Sequence, residues 1–240
     1  MTSGPSGVRV GILVLSEDDL PEGVAWLHAE ERSVLETLHV PKRRADWLLG
    51  RWTAKRAVAA FLGVHPGSVF IRAADDGAPE ALVDGRPERC VVSITHRAGL
   101  AACAVAEAGV ALGCDLELVE PRSAGFVADY LTESERALVH SAGESGLSET
   151  ANLLWSAKES ALKAARTGLR ADSRSVAIHP SPALGAQWTP FEARMTGDPK
   201  PWQGWWTRSG DHLLTITARP DPGRPMTVAP AASRVPEGRP

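Results

Sequence analysis

Asp115, Glu117, Glu159, Lys163 and His96 are the side chains whose types and spacing could carry chemistry in this chain. Asp115 and Glu117 stand two apart in the run Gly-Cys-Asp-Leu-Glu at 113–117. A strand would put them on one face, roughly 6–7 Å apart, and turn Cys114 and Leu116 to the core. Two carboxylates facing one point repel each other unless a cation or a proton lies between them. Carboxylates together with substrate phosphates are the usual means of holding Mg²⁺. A pair of this kind taken alone also fits a solvated strand end. In the run 153–163, Leu-Leu-Trp-Ser-Ala-Lys-Glu-Ser-Ala-Leu-Lys, the residues Trp155, Glu159 and Lys163 recur every four. On a helix that spacing makes one row of an aromatic, an acid and a base. Such a row is either an exposed ion pair or one wall of a site. His96 closes Ser-Ile-Thr-His at 93–96, and Arg43, Arg44, Arg51, Lys55 and Arg56 share one stretch upstream. The basic stretch reads as a solvated face or as a phosphate contact.

These residues need elements to hold them. The patterning predicts strands at 8–15, 68–71, 91–95, 100–106 and 110–117, with helices at 24–38 and 42–62. Pro41 and Gly63 bracket the second of these helices. The composition Asp-Asp-Gly-Ala-Pro makes 75–79 a turn. Further on, a helix is expected at 126–131, and Thr132 with Glu135 matches a capping box. A loop is expected at 143–148, the long helix at 149–167, and strands at 176–178, 188–195, 202–207 and 213–218. Four of the eight Trp lie between 188 and 206, where sheet packing is the expected role. After Arg219 the chain has six Pro and no aromatic residue, which predicts a disordered tail over 220–240. The order of elements suggests one α+β plan used twice, with the turn at 107–109 dividing 1–108 from 109–219. No sequence repeat demonstrates it.

The three motifs in this order, Ser-Ile-Thr-His, Asp-Leu-Glu and Trp-x-x-Lys-Glu-Ser-x-x-Lys, resemble the signature of the Sfp-type 4′-phosphopantetheinyl transferases. The resemblance covers residues 42–178. It implies an α+β pseudo-dimer in one chain, each half a small antiparallel sheet with a long helix, and coenzyme A between them. It implies transfer of the 4′-phosphopantetheine arm of coenzyme A to a serine of an apo acyl or peptidyl carrier protein, with release of 3′,5′-ADP. By the same resemblance Asp115, Glu117 and Glu159 hold Mg²⁺, and Glu159 is the base. Lys163 contacts the pyrophosphate, and His96, with Thr95 beside it, a coenzyme A phosphate. Arg43, Arg51 and Lys55 bind the 3′-phosphate. Lys158 and Trp155 orient and pack the helix. The family often carries a basic residue beside a Gly-x-Pro turn; here the turn is Asp76-Gly77-Ala78-Pro79, with none. Two other functions use the same acids: a relative that binds coenzyme A or carrier without turnover, and a Mg²⁺-dependent nucleotide hydrolase.

Whole-chain properties narrow the field. With 240 residues and 43% apolar content the chain can bury a real core, and a net charge of −3 gives no nucleic-acid signature. Of the 26 basic residues 21 are Arg. Three Cys, an odd number, and a short N-terminal stretch without a long apolar run predict a reduced, cytoplasmic protein without disulfides or membrane spans. Both halves in one chain predict a monomer. The segment 122–147 is the expected carrier-docking surface, with Phe126, Val127, Tyr130, Leu131, Leu138 and Val139 among Arg122 and Arg136.

Overall fold

Buried apolar strands and two long helices set the architecture, and the computed structural model describes residues 8–87, 90–167, 171–182 and 187–228. The first half runs β1 (Val10–Ser16), α1 (Ala29–Glu36), α2 (Pro41–Leu62), β2 (Val69–Ala73), β3 (Pro79–Val83), β4 (Arg86–Pro87), β5 (Cys90–Arg97) and β6 (Leu100–Glu107). The second runs β7 (Ala111–Leu118), α3 (Ala124–Tyr130), α4 (Glu133–Ser141), α5 (Gly143–Ala164), β8 (Val176–Pro180), β9 (Thr189–Met195), β10 (Trp202–Ser209) and β11 (His212–Arg219). A last strand, β12 (Met226–Thr227), returns to the first half.

The sheets have the orders β12-β1-β6-β5, β7-β11-β10-β9-β8 and β2-β3-β4. All ladders are antiparallel except β1 with β12. The packing is layered: α2 covers one sheet, α5 the other, and the two sheets share a core between them. That shared layer includes Val10, Ile12, Ala104, Leu112, Cys114, Leu116, Leu214 and Ile216. The α+β class and the two-fold plan agree with the sequence.

A buried ion pair, present once in each half, displays the repeat that the sequence hides. Glu31, in the first turn of α1, accepts from the His28 N–H (2.9 Å), from Lys55 Nζ (2.7 Å) and from the Ile71 N–H (3.2 Å). Glu135, in the first turn of α4, accepts from the Thr132 N–H (2.7 Å) and the Ile178 N–H (2.8 Å), and pairs with Lys158 at 2.8 Å. Lys158 also donates to the carbonyls of Ser173 (3.0 Å) and Val176. All four charged side chains are at most 1% exposed. Burial is tolerated because each charge is paired, and main-chain groups take up further hydrogen-bonding sites of Glu31, Glu135 and Lys158.

Three expectations are corrected. The helix at 24–38 shortens to α1, because Pro21 and Gly23 (φ +68°) bend the chain and the Glu31 carboxylate starts the helix at His28. The loop at 143–148 is the first turn and a half of α5; Leu147 packs on the core and the Ser148 carbonyl accepts from Asn152. The tail is not disordered over 221–228. Met226 and Thr227 pair with Gly11 and Ile12, the Val228 N–H donates to the Ile12 carbonyl (2.9 Å), and Val228 packs against the first core. The β1 edge has main-chain groups to satisfy, and a Pro-rich segment can do so with few side chains. Residues 229–240 lie outside the described residues. Strand β3 and its hairpins were not foreseen: β2 meets β3 through the turn at Gly77 (φ +87°), where the Ala74 N–H donates to the Ala78 carbonyl at 2.8 Å, and β3 meets β4 through Asp84 and Gly85 (φ +49° and +74°).

Candidate active site

Helix α5 lies so close to β7 that only glycine fits at 113: an added Cβ would come within 1.9 Å of the Ser160 carbonyl oxygen. Hydroxyl pairs fix the same helix to β11, Ser156 with Thr215 (2.9 Å) and Ser160 with Thr217 (2.7 Å). These contacts aim the Trp155, Glu159 and Lys163 row at the end of β7. On the other side, β5 runs beside β7 without a ladder. The Ser93 and Thr95 hydroxyls accept the Cys114 and Leu116 N–H groups (2.9 and 3.1 Å) in place of main-chain carbonyls. Thr95 is therefore corrected from a cofactor contact to a strand anchor, since its hydroxyl is spent on β7 and on Asp115 (3.4 Å).

The acids are brought together but differ in their surroundings. Asp115 Oδ1 accepts from Lys163 Nζ at 2.7 Å, while its Oδ2 is buried without a partner. Glu159 Oε1 is likewise buried without a partner. Glu117 Oε1 accepts the Trp155 indole N–H (3.1 Å), and its Oε2 accepts from Arg122 (3.0 Å) with Arg97 at 3.5 Å. Among the described residues no three His, Cys, Asp or Glu form a group arranged to hold a metal. The orphaned oxygens of Asp115 and Glu159 suit a hard cation, and Glu117, the third acid of the expected set, is held by nitrogen donors.

Burial raises the Glu159 carboxyl to about 7; Lys163 opposes the rise, and Asp115 and Glu117 add to it. Burial also raises Glu117, as does Asp115, against Arg122, Arg97 and the Trp155 hydrogen bond. Burial works to lower the Lys163 ammonium, but the field of Asp115 and its neighbours outweighs it and the pKa rises, so Lys163 stays charged.

The basic residues separate into two groups. Arg43, Arg51 and His96 line one cleft with Trp47 and the turn at Gly77 and Pro79. Arg51 stacks on Trp47 at 4.9 Å and keeps its Nε–H buried and unpartnered. Burial lowers the His96 imidazole, partly offset by Asp46, whose Oδ2 is 3.8 Å from Nδ1, so at neutral pH it is a neutral donor. Lys55 does not belong here: it sits in the buried pair with Glu31, which corrects its assignment to coenzyme A. Arg72, which the sequence reading passed over, lines the same cleft from β2. The adjoining cavity lies between the halves, lined by Gly77, Ser93, Ile94, Leu112, Lys163 and Arg166 among others. At its mouth Arg166 forms a two-pronged pair with Asp76 (2.7 Å each), so the turn lacking a basic residue holds one from the other half.

Residues 111–217 match the family described as the 4′-phosphopantetheinyl transferase superfamily, and residues 30–106 match the 4′-phosphopantetheinyl transferase N-terminal domain. The chain belongs to that superfamily. The N-terminal match on the same chain agrees with the Sfp-type resemblance, and the protein is a 4′-phosphopantetheinyl transferase. No curated protein matches the transferase. Among solved structures it is similar to a holo-(acyl-carrier-protein) synthase from Bacillus anthracis str. Ames in complex with CoA (3′,5′-ADP). The identity is 22%, over 42% of the transferase and 97% of that chain, with a TM-score of 0.35. Among the described residues no helix of the transferase is long and apolar enough to cross a membrane.

The segment 122–147, expected to dock a carrier, divides too. Leu131, Val139 and Val127 are buried and cap the second core, which removes them from the expected surface. Tyr130 (41%) and Leu138 (39%) are exposed. Tyr130 and Phe126 pack on Trp155 with ring centroids 4.9 and 5.2 Å away.

Proposed function

We propose that the enzyme moves the phosphopantetheine arm of coenzyme A to a serine of an apo acyl or peptidyl carrier protein, with Mg²⁺, and releases 3′,5′-ADP. One observation carries the metal part: two buried carboxylate oxygens, on Asp115 and Glu159, have no partner beside a charged lysine. Bound there, Mg²⁺ would supply charge neutralisation to the pyrophosphate. The chain's own residues do the rest. The 1–108 half carries Arg43, Arg51, Arg72 and His96, a set suited to the 3′-phosphate and nucleotide phosphates. The 109–219 half carries the acids and the docking surface. Lys163, held by Asp115 and by the Cys114 carbonyl (3.1 Å), offers its remaining N–H to a pyrophosphate oxygen.

The serine Oγ forms a bond to the β-phosphorus, the bond from that phosphorus to the bridging oxygen breaks, and 3′,5′-ADP leaves with the electron pair. Glu159 is the carboxylate placed to take the serine proton. The exposed Tyr130, packed on Trp155, and the exposed Leu138 form the apolar surface on which the carrier docks, with Arg136 at the rim. Two halves in one chain support a monomer. The test is release of 3′,5′-ADP from coenzyme A, with and without apo carrier and with and without Mg²⁺. Release that needs both supports the reading; release without carrier makes the enzyme a hydrolase and refutes it.

A further inference from the structure

We infer that the Asp76–Arg166 pair is a planar cap over the purine ring of coenzyme A, seated in the cavity between the halves; this deepens the function proposed above and rests on it. The cavity has a volume of about 380 Å³, and Pro79, Val91 and Ile94 of the first half line it together with Val110 and Leu112 of the second. An apolar space of this size with a few polar groups at its edge is the usual form of a small-molecule site. Gly77, Pro79 and Ile94 line both this cavity and the cleft that holds Arg43, Arg51, Arg72 and His96. A nucleotide lying across that shared wall puts its phosphates on the basic cleft. What the apolar cavity has room for is its flat ring.

The pair is suited to cover such a ring. The Arg166 Nε–H and Nη2–H groups donate to the two oxygens of Asp76 at 2.7 Å each, which holds guanidinium and carboxylate in one plane. Asp76 is itself fixed, since its Oδ1 accepts the Ala78 N–H at 3.1 Å. The Arg166 guanidinium and that N–H hold the Asp76 carboxyl well below the usual carboxylate range, so the pair stays formed around neutral pH. With its two charges cancelled, the pair has little to offer a phosphate, whereas the face of a guanidinium stacks on aromatic rings. Both residues line the cavity on one side and, on the other, an outer hollow with Arg72, Asp75 and Glu80, so the pair stands as a wall between the two. The backbone gives a further sign. Helix α5 closes with the Arg166 N–H on the Lys163 carbonyl (3.0 Å) and the Thr167 N–H on the Leu162 carbonyl (3.1 Å), and Arg166 there takes φ +56°. Glycine adopts that conformation without steric cost and arginine does not. The position is therefore filled for its side chain, which joins the end of α5 to the turn of the other half.

The test is calorimetric titration of the full-length enzyme with 3′,5′-ADP, at low and at high salt. Arg166→Ala and Arg166→Lys are both expected to weaken binding by roughly five- to tenfold, since lysine keeps the charge and loses the plane. Asp76→Asn, which leaves the guanidinium unclamped, is expected to weaken it by about threefold. The losses should be the same at both salt concentrations, because a stacked pair of cancelled charges is little affected by screening. Inhibition of transfer by inorganic pyrophosphate, a probe without a ring, should be as strong in all three variants as in the parent. An Arg166→Lys enzyme that binds 3′,5′-ADP like the parent, or a loss in Arg166→Ala that disappears at high salt, makes Arg166 a charge contact and overturns the inference. Pyrophosphate weakened as much as 3′,5′-ADP marks a general opening of the cleft and overturns it too. Parent-like binding of 3′,5′-ADP by Arg166→Ala removes the cap outright. A parent enzyme that does not bind 3′,5′-ADP overturns the proposed function itself, and the inference with it.

Discussion

Replacing Lys55 with Met separates a structural lysine from a substrate-binding one. Lys55 is fully buried and its Nζ lies 2.7 Å from Glu31, itself 1% exposed. Met fills most of the same volume, so the main effect is to strand the Glu31 carboxylate. Its remaining donors are the His28 and Ile71 N–H groups. Removing one partner of a buried pair costs about 3–5 kcal/mol. For a domain of this size each kcal/mol lowers Tm by about 2–4 °C, so a fall of about 6–20 °C is expected. Lys55→Met with Glu31→Gln should recover much of the loss, because a neutral amide no longer needs the ammonium. Thermal unfolding of the single and double variants measures both effects. KM for coenzyme A should stay at the parent value in whatever fraction remains folded. A Lys55→Met protein of unchanged Tm with a raised KM for coenzyme A would refute the reasoning and return Lys55 to the phosphate site.

Other outcomes follow from the same geometry. Arg51→Ala should raise KM for coenzyme A much more than for its 3′-dephospho form, by roughly tenfold for a charge-assisted contact of about 1.5–3 kcal/mol; equal losses on both would remove Arg51 from the 3′-phosphate. Gly113→Ala should destabilise by more than the usual 1–3 kcal/mol of overpacking, roughly speaking, because the added carbon meets backbone that cannot yield; a Tm within a degree of the parent contradicts the close approach of α5 and β7. A chain ending at Pro220 loses β12 and the Val228 packing, so its Tm should drop by about 5–10 °C; an unchanged Tm would mean the β1 edge does not need it.

What the sequence made legible follows the physics of each signal. Strand and helix periodicities are local rules, so they put Asp115 and Glu117 on one face and Glu159 and Lys163 in one row, whereas the meeting of the two sets came from the family resemblance alone; Pro41 and Gly63 bounded α2 correctly because their effects are local too. Lys55 could not be read as buried, since its partner Glu31 is far off in sequence and a lysine on a basic helix normally faces water, and Lys158 was read as packing its helix only through the resemblance, its partner Glu135 being as distant. Their signal existed only as a repeat: a glutamate in the first turn of a short helix, then a lysine in a long one. The hydrogen bonds of Glu117 were hidden for a similar reason, as Arg122 and Trp155 meet it only after β7, α3 and α5 have packed. The last strand carried no pattern at all, because main-chain pairing to Gly11 and Ile12 makes little demand on side chains.

The most direct measurement is the intact mass of an apo carrier protein after incubation with the enzyme, coenzyme A and Mg²⁺. The account predicts a carrier heavier by one phosphopantetheine arm on its serine, an equal amount of 3′,5′-ADP, and neither product with Asp115→Asn or Glu159→Gln. A carrier of unchanged mass across a panel of acyl and peptidyl carriers, or full modification by either variant, would contradict it.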